Sequence, residues 1–270
     1  MPYQPELTLK TALSLIDEVT AQIEPFKQMI SELSQANPAE GEDSFVLAVS
    51  KGAWQGFKGG LQIRKESANL LQKCEQATSL ASSVKSSNPD MRLIIQRDNE
   101  QVEITPDIVI AHSHLCKGVI SFVAGNLKDA QTCFEQSLKV YPTADAQLRL
   151  ASSIVAQGER DAAIVAFQRV IDKYPDEDES VEAKKAILEL EAIKPKKWEV
   201  ALILSILFGI WGVDRFYLGY IKDGFIKLIT AGGFFIWWIL DIIKIALNKL
   251  RDANGYKLQK TNKQTALQRR

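Results

Sequence analysis

Among the charged residues in or between the two most apolar runs of the chain, five could do chemistry. Asp214 and Arg215 follow the first run, Trp198–Val213, and Lys227, Asp241 and Lys244 fall inside the second, Gly224–Leu247. A carboxylate inside a segment that apolar is a candidate for function by default. It can also be neutralised locally, and a helix would set Asp241 and Lys244 at i, i+3, where an ion pair forms. The Asp214–Arg215 pair has the same two readings, a functional pair or a polar turn at the far end of the first run. Lys227 and Lys244 lie near the ends of their run, where long side chains can carry an ammonium outward.

A second group with chemical potential is His112, His114 and Cys116. On a helix His112 and Cys116 share a face and His114 points away. Two ligands are too few for zinc, so neither metal nor cofactor is expected. No P-loop, dinucleotide-binding glycine fingerprint, GxSxG elbow or HExxH occurs, which argues against an enzyme. Three cysteines without metal-knuckle spacing suit a reducing compartment. The formal charge is zero, which gives no electrostatic case for nucleic acid. The balance is uneven: residues 248–270 hold seven basic residues and one acidic residue, a composition suited to an anionic membrane face. Residues 1–10 lack a basic-then-apolar pattern, so no secretory signal is expected.

The elements that must carry the first group are two short apolar helices. Trp198–Val213 would span about 24 Å as a helix, slightly less than a hydrocarbon core. Aromatics bracket both runs: Trp198, Trp211, Phe216, Tyr217 and Tyr220, then Trp237 and Trp238. Ala201, Ser205 and Gly209 form a small-residue stripe, with Gly232 and Gly233 as its expected counterpart. The run WGVDRFYLGY, a later glycine, GGFFIWWILD and DANGY together resemble the TM-two domain, a hairpin of two transmembrane helices. The matching positions are Gly212, Asp214, Arg215, Phe216, Tyr217, Leu218, Gly219, Gly224, Gly232, Trp237, Trp238 and Asp241. The resemblance implies a multi-pass membrane protein over roughly residues 197–258. Lysines cluster before Trp198 and after Leu247, while residues 214–223 hold only Arg215 and Lys222. Both termini are therefore expected on the cytoplasmic side, with 214–223 opposite them.

Gly125, Ala130, Phe134, Tyr141 and Pro142 recur 33 positions later as Gly158, Ala163, Phe167, Tyr174 and Pro175. Each unit reads as helix, glycine turn, helix and proline stop. This is similar to the tetratricopeptide repeat, although the usual tryptophan position holds His114 and Gln147. Residues 179–193 would cap the stack. The resemblance implies a concave face with His112, Leu115, Val119, Phe122 and Val123 from one unit. Asp145, Leu148, Ser152, Val155 and Ala156 would come from the other. Such an apolar groove binds a partner or is filled by the chain's own N-terminal helices. Two repeats bury little alone, which favours self-filling.

Before the repeats, an apolar period from Leu9 to Leu33 predicts a helix with Pro25 inside it, ended at Asn37-Pro38. Ser67–Ser86 predicts another, and Met91–Ile104 suits a small β-hairpin. Between them Ala48, Gly52, Gly56 and Gly60 recur every four residues beside a Trp54, Phe57 and Leu61 face. That pattern suits a close helix contact, a surface-lying membrane helix or a flexible loop. The fold class expected is mainly α. An N-terminal helical region (1–105) precedes two tetratricopeptide-like repeats plus a capping helix (106–193), the membrane hairpin (194–258) and a basic tail (259–270). The function expected is a membrane-anchored, cytoplasm-facing adaptor or scaffold whose repeats bind a protein. The alternative is a small homo-oligomer that conducts or senses through its hairpin.

Overall fold

The computed structural model describes residues 4–35, 58–97, 99–194, 196–229 and 236–260. The described residues are mainly helical, with one two-stranded sheet among them. Helix α1 (Pro5–Gln35) continues through Pro25. Its partner α2 (Lys58–Ser87) starts well before the expected Ser67. The glycine pattern from Ala48 to Phe57 lies outside the described residues, as does the Asn37-Pro38 stop. Strands β1 (Leu93–Arg97) and β2 (Glu100–Ile104) pair antiparallel with Leu93 opposite Ile104. The turn is tight because Asn99 adopts φ 68°, a left-handed conformation that asparagine tolerates.

The repeats follow as α3 (Pro106–Ala124) and α4 (Leu127–Val140), then α5 (Ala144–Ala156) and α6 (Arg160–Lys173), closed by α7 (Asp178–Ala192). Local chemistry sets their limits. Thr105 Oγ1 accepts from the Ile108 N–H and Thr143 Oγ1 from the Ala146 N–H, so a hydroxyl caps α3 and α5 alike. Gly125 ends α3 in the left-handed region (φ 88°), and Gly158, 33 residues on, does so after α5 (φ 72°). Phe134 and Phe167 fill the space within each helix pair and are fully buried. Gly118 faces Phe134 so closely that a β-carbon there would come within 2.4 Å of the ring.

One continuous apolar core runs through this part. It draws Leu9, Ile16 and Ile23 from α1, Leu70 and Cys74 from α2, and continues across the repeats to Leu190 of α7. Helix α1 packs on α2, lies against α3 and reaches α7. Among the described residues α3 is the helix long and apolar enough to cross a membrane, but two thirds of its most apolar window is buried in this core.

The last part comprises α8 (Trp198–Phe208), a 3-10 turn at Gly209–Trp211, α9 (Val213–Leu218), α10 (Ile221–Ile229) and α11 (Ile236–Ala246). The described residues of the two apolar runs and their connector thus fold as four α-helical pieces and the 3-10 turn. Gly212, at φ 73°, makes the break between the 3-10 turn and α9. Its α-carbon stands so close to Gly224 that a β-carbon would meet the Gly224 carbonyl at 2.6 Å. Gly212 is required by its conformation and by this approach, and a β-carbon on Gly224 would meet the Phe216 ring at 2.9 Å.

Candidate functional site

The ionisable residues of the apolar part converge on one point. The carboxylate of Asp214 accepts from Lys227 Nζ at 3.0 and 2.9 Å and from Ser205 Oγ at 3.2 Å. Asp241 accepts from Lys227 Nζ at 2.9 Å and from Arg215 Nε at 2.9 Å, with a second guanidinium bond to its other oxygen. Arg215 therefore grips Asp241 in the fork geometry that suits a carboxylate. Asp214, Lys227 and Asp241 have no solvent exposure and Arg215 has little. Two acids and two bases cancel, so the interior holds four charges and no net charge.

This arrangement corrects three expectations. Asp241 pairs with Arg215 and Lys227, 26 and 14 residues away, and not with Lys244 on its own helix. Lys227 does not reach outward but is enclosed. Asp214 and Arg215 do not form a polar turn but are buried at the start of α9, which folds back beside α8. That reversal is visible in a ladder of contacts. Asp214 meets Ser205, and Leu218 joins Ala201 and Ile245 in a small apolar cluster. Tyr217 Oη accepts from the Lys197 N–H at 2.9 Å. The other motif residues pack around the same turn: Phe216 stands edge-on to Phe225 at 5.2 Å, and Gly219 (φ 93°) faces Ala253.

Helix α11 runs antiparallel to α8. Trp238 Nε1 donates to the Ser205 carbonyl at 2.7 Å and Trp198 Nε1 to the Ile245 carbonyl at 2.6 Å. The small stripe of Ala201, Ser205 and Gly209 serves this contact, since a β-carbon on Gly209 would meet Trp238. The expected counterpart, Gly232 and Gly233, lies outside the described residues.

A junction joins this part to the second repeat. After α11 a turn at residues 251–257 is capped by Asp252, whose Oδ1 accepts from the N–H groups of Asn254 and Tyr256. Burial raises the pKa of its carboxyl, and those N–H groups oppose the shift. Tyr256 enters the repeat core. The Lys257 N–H donates to the Gly158 carbonyl at 3.0 Å, Arg251 Nη1 to that of Ala156 at 3.2 Å, and Gln259 Nε2 to Asp161 at 2.9 Å. Lys257 also pairs with Glu159. On the other side the Ala253 N–H donates to the Leu218 carbonyl and Tyr220 Oη to that of Asp252. Finally residues 196–198 and Gln259 exchange two backbone hydrogen bonds of 2.9 Å, which ties the flank entering the hairpin to the flank leaving it.

In the groove, Leu115, Val119, Phe122, Leu148 and Val155 are all buried, in the same core as α1. His112 is partly open, with Nε2 at 3.4 Å from Thr20 Oγ1, and Cys116 Sγ is 3.7 Å from the same hydroxyl. They share a face, as their spacing requires. A pocket remains at the groove mouth, lined by Ile108, His112, Leu115, Tyr141, Thr143 and Asp145. His114 points elsewhere, its Nδ1 buried without a hydrogen bond, and burial lowers its pKa.

Fold and site together define a repeat module built onto an apolar, internally neutralised hairpin. Residues 194–243 match the TM2 domain and residues 145–177 match the tetratricopeptide repeat, so the repeats precede the TM2 region. The chain is 45% identical over 58 residues to TM2 domain-containing protein Y66D12A.21 of Caenorhabditis elegans, a stretch covering 22% of this chain and 32% of that protein. It is 43% identical over 67 residues to TM2 domain-containing protein biscotti of Drosophila melanogaster, covering 23% and 38%. Against human TM2 domain-containing protein 3 it is 44% identical over 59 residues, covering 22% and 24%. The likeness thus spans well under half the length of these relatives. No solved structure matches the chain. These matches describe a membrane protein with a protein-interaction module, and both modules are of non-enzymatic kinds.

Proposed function

We propose that the chain is a membrane-anchored adaptor, with the repeats on the cytoplasmic side and both flanks of the hairpin on that side with them. The observation that carries this reading is the junction. Main-chain and side-chain bonds from residues 251–259 seat the end of the hairpin on the turn that opens α6. A module held this way presents a fixed face at the membrane surface instead of swinging on a linker. The hydrogen bonds between residues 196–198 and Gln259 support flanks that share one side. Lysines on both flanks support that side being cytoplasmic. The partner's site is the mouth of the groove, around His112, Leu115, Tyr141 and Asp145, where a pocket remains while the deeper residues are buried.

The conducting alternative gains nothing from Asp241, which is enclosed and paired within a single chain. A photo-crosslinking amino acid at the exposed Tyr141 tests the adaptor directly. The reading expects a protein adduct that sediments with membranes, and that becomes soluble when residues 194–270 are deleted. Adducts only within the chain, together with ion flux through vesicles reconstituted with it, would favour the conducting alternative.

A further inference from the structure

A cleft opens where the second repeat meets the end of the hairpin. One wall is the turn that opens α6, Gly158–Ala162, and the other is Asn248 with Tyr256–Lys260. Its volume is about 290 Å³. Sites for small molecules begin near about 300 Å³, so the cleft has room for a compact polar group and not for a whole lipid or a peptide. The walls carry three bases, Arg160, Lys257 and Lys260, against two acids, Glu159 and Asp161. Both acids are engaged by the walls themselves. Glu159 pairs with Lys257, and Asp161 accepts from Arg160 Nη1 at 2.7 Å and from Gln259 Nε2 at 2.9 Å. Lys260 is exposed and pairs with no acid among the described residues; its ammonium stands over the Trp198 ring at 5.0 Å. Two further exposed lysines adjoin these walls along the chain. Lys249 follows Asn248, and Lys197 is bridged to Gln259.

The cleft belongs at the level of lipid headgroups. Trp198 opens the hairpin, and its indole donates to the Ile245 carbonyl at 2.6 Å. An ammonium held on an aromatic face at the start of an apolar segment suits the bilayer interface. From Asn248 an apolar stripe leads back into the hairpin. Leu247, Ile243 and Leu240 follow at steps of four and three residues, which places them on one helical face, and all three are exposed. A free phosphate would engage the lysines and leave this stripe unused. A glycerophospholipid uses both, with its phosphate in the cleft and its acyl chains along the stripe.

We propose that this cleft holds the phosphate-ester headgroup of an anionic glycerophospholipid. Lys260 is its main contact, Lys249 and Lys197 are adjoining cations, and Leu240, Ile243 and Leu247 carry the acyl chains. A zwitterionic headgroup brings its own positive charge to a site already rich in ammonium groups, so it binds less well. A lipid seated here touches both the repeat turn and the end of the hairpin, and so reinforces the junction between them. The inference rests on the hairpin being in the membrane. It does not depend on which side is cytoplasmic, nor on whether the groove mouth takes a partner.

Native mass spectrometry of the full-length chain, released from detergent with phosphatidylglycerol or phosphatidylcholine added at equal concentration, tests it. The unaltered chain should retain phosphatidylglycerol in clear excess. Lys260→Gln should lower that retention about five-fold, the share of one lysine near an anionic lipid surface, and Lys249→Gln should lower it further. Lys139→Gln removes an exposed charge from α4 in the first repeat and should change nothing. Lys260→Arg keeps the charge and should restore binding. If Lys260→Gln fails to fold, Lys249→Gln alone decides. Phosphatidylglycerol with a photoreactive headgroup should form adducts within residues 158–162 or 248–260. Equal retention of the two lipids, an equal loss in Lys139→Gln, or adducts confined to other segments would overturn the proposal. Displacement of phosphatidylglycerol by excess inorganic phosphate would show a site for a free anion and overturn it too. Recovery of the chain in the soluble fraction of cells would instead refute the membrane reading on which it rests.

Discussion

Lys227 is enclosed in apolar surroundings between two carboxylates, and its removal strands charge. Lys227→Met should cost about 3–5 kcal/mol, because breaking a buried pair on one side leaves the partner unpaired. Lys227→Met with Asp214→Asn keeps the Arg215–Asp241 pair and should be more stable than Lys227→Met alone. Unfolding of Lys227→Met, Asp214→Asn and the double variant in detergent checks this, and additive losses would refute the shared network. His114 gives a pH signature. Its folded pKa is lowered, so the fold favours the neutral ring and the unfolded chain binds the proton first. The stability it contributes is present above the unfolded value of about 6.5 and is lost as pH falls through the folded pKa. His114→Gln should flatten the wild-type loss of thermal stability as pH falls below about 6.5; equal slopes would show that the ring is not involved. At this scale the sequence was half legible. Asp214, Arg215 and Asp241 stood out by type in an apolar context. Their partners did not, because helical spacing points Asp241 at Lys244, and the true pairing depends on a reversal at Gly212 that no local pattern announces.

The repeats were the most legible elements. A period of 33 residues fixes glycine, alanine and phenylalanine at equivalent places, and the structure uses each equivalently: Gly125 and Gly158 as left-handed stops, Phe134 and Phe167 as buried wedges. Phe134→Ala and Phe167→Ala should each destabilise the repeat part by about 3–5 kcal/mol in chemical denaturation, and unchanged midpoints would contradict the packing. The β-hairpin was legible from alternation around a polar centre. The start of α2 was not, since a glycine-rich approach gives no stop or cap to mark it. The groove needed tertiary knowledge: only α1 lying on α3 shows that Leu115 and Val119 are floor and not surface. Leu115→Glu with Val119→Glu should therefore unfold the repeats outright, as a loss of helical circular dichroism, and a folded double variant would mean the groove is open.

For the whole molecule the junction was the least legible feature. DANGY reads as a turn, and nothing in its composition says that Tyr256 enters the repeat core or that Lys257 pairs across to Gly158. Yet the adaptor depends on it, because it converts an anchor and a repeat stack into one body. The test is the distance between them. Spin labels at Lys173→Cys on α6 and Ile239→Cys on α11, both exposed positions, should give a single narrow distance distribution in the full-length chain in lipid nanodiscs. Gly158→Val should broaden it, since Gly158 holds φ 72° and a β-carbon there would sit 2.6 Å from the Gly255 carbonyl. A distribution already broad in the unmodified junction, or one that Gly158→Val leaves narrow, would contradict the claim that the hairpin fixes the repeats at the membrane.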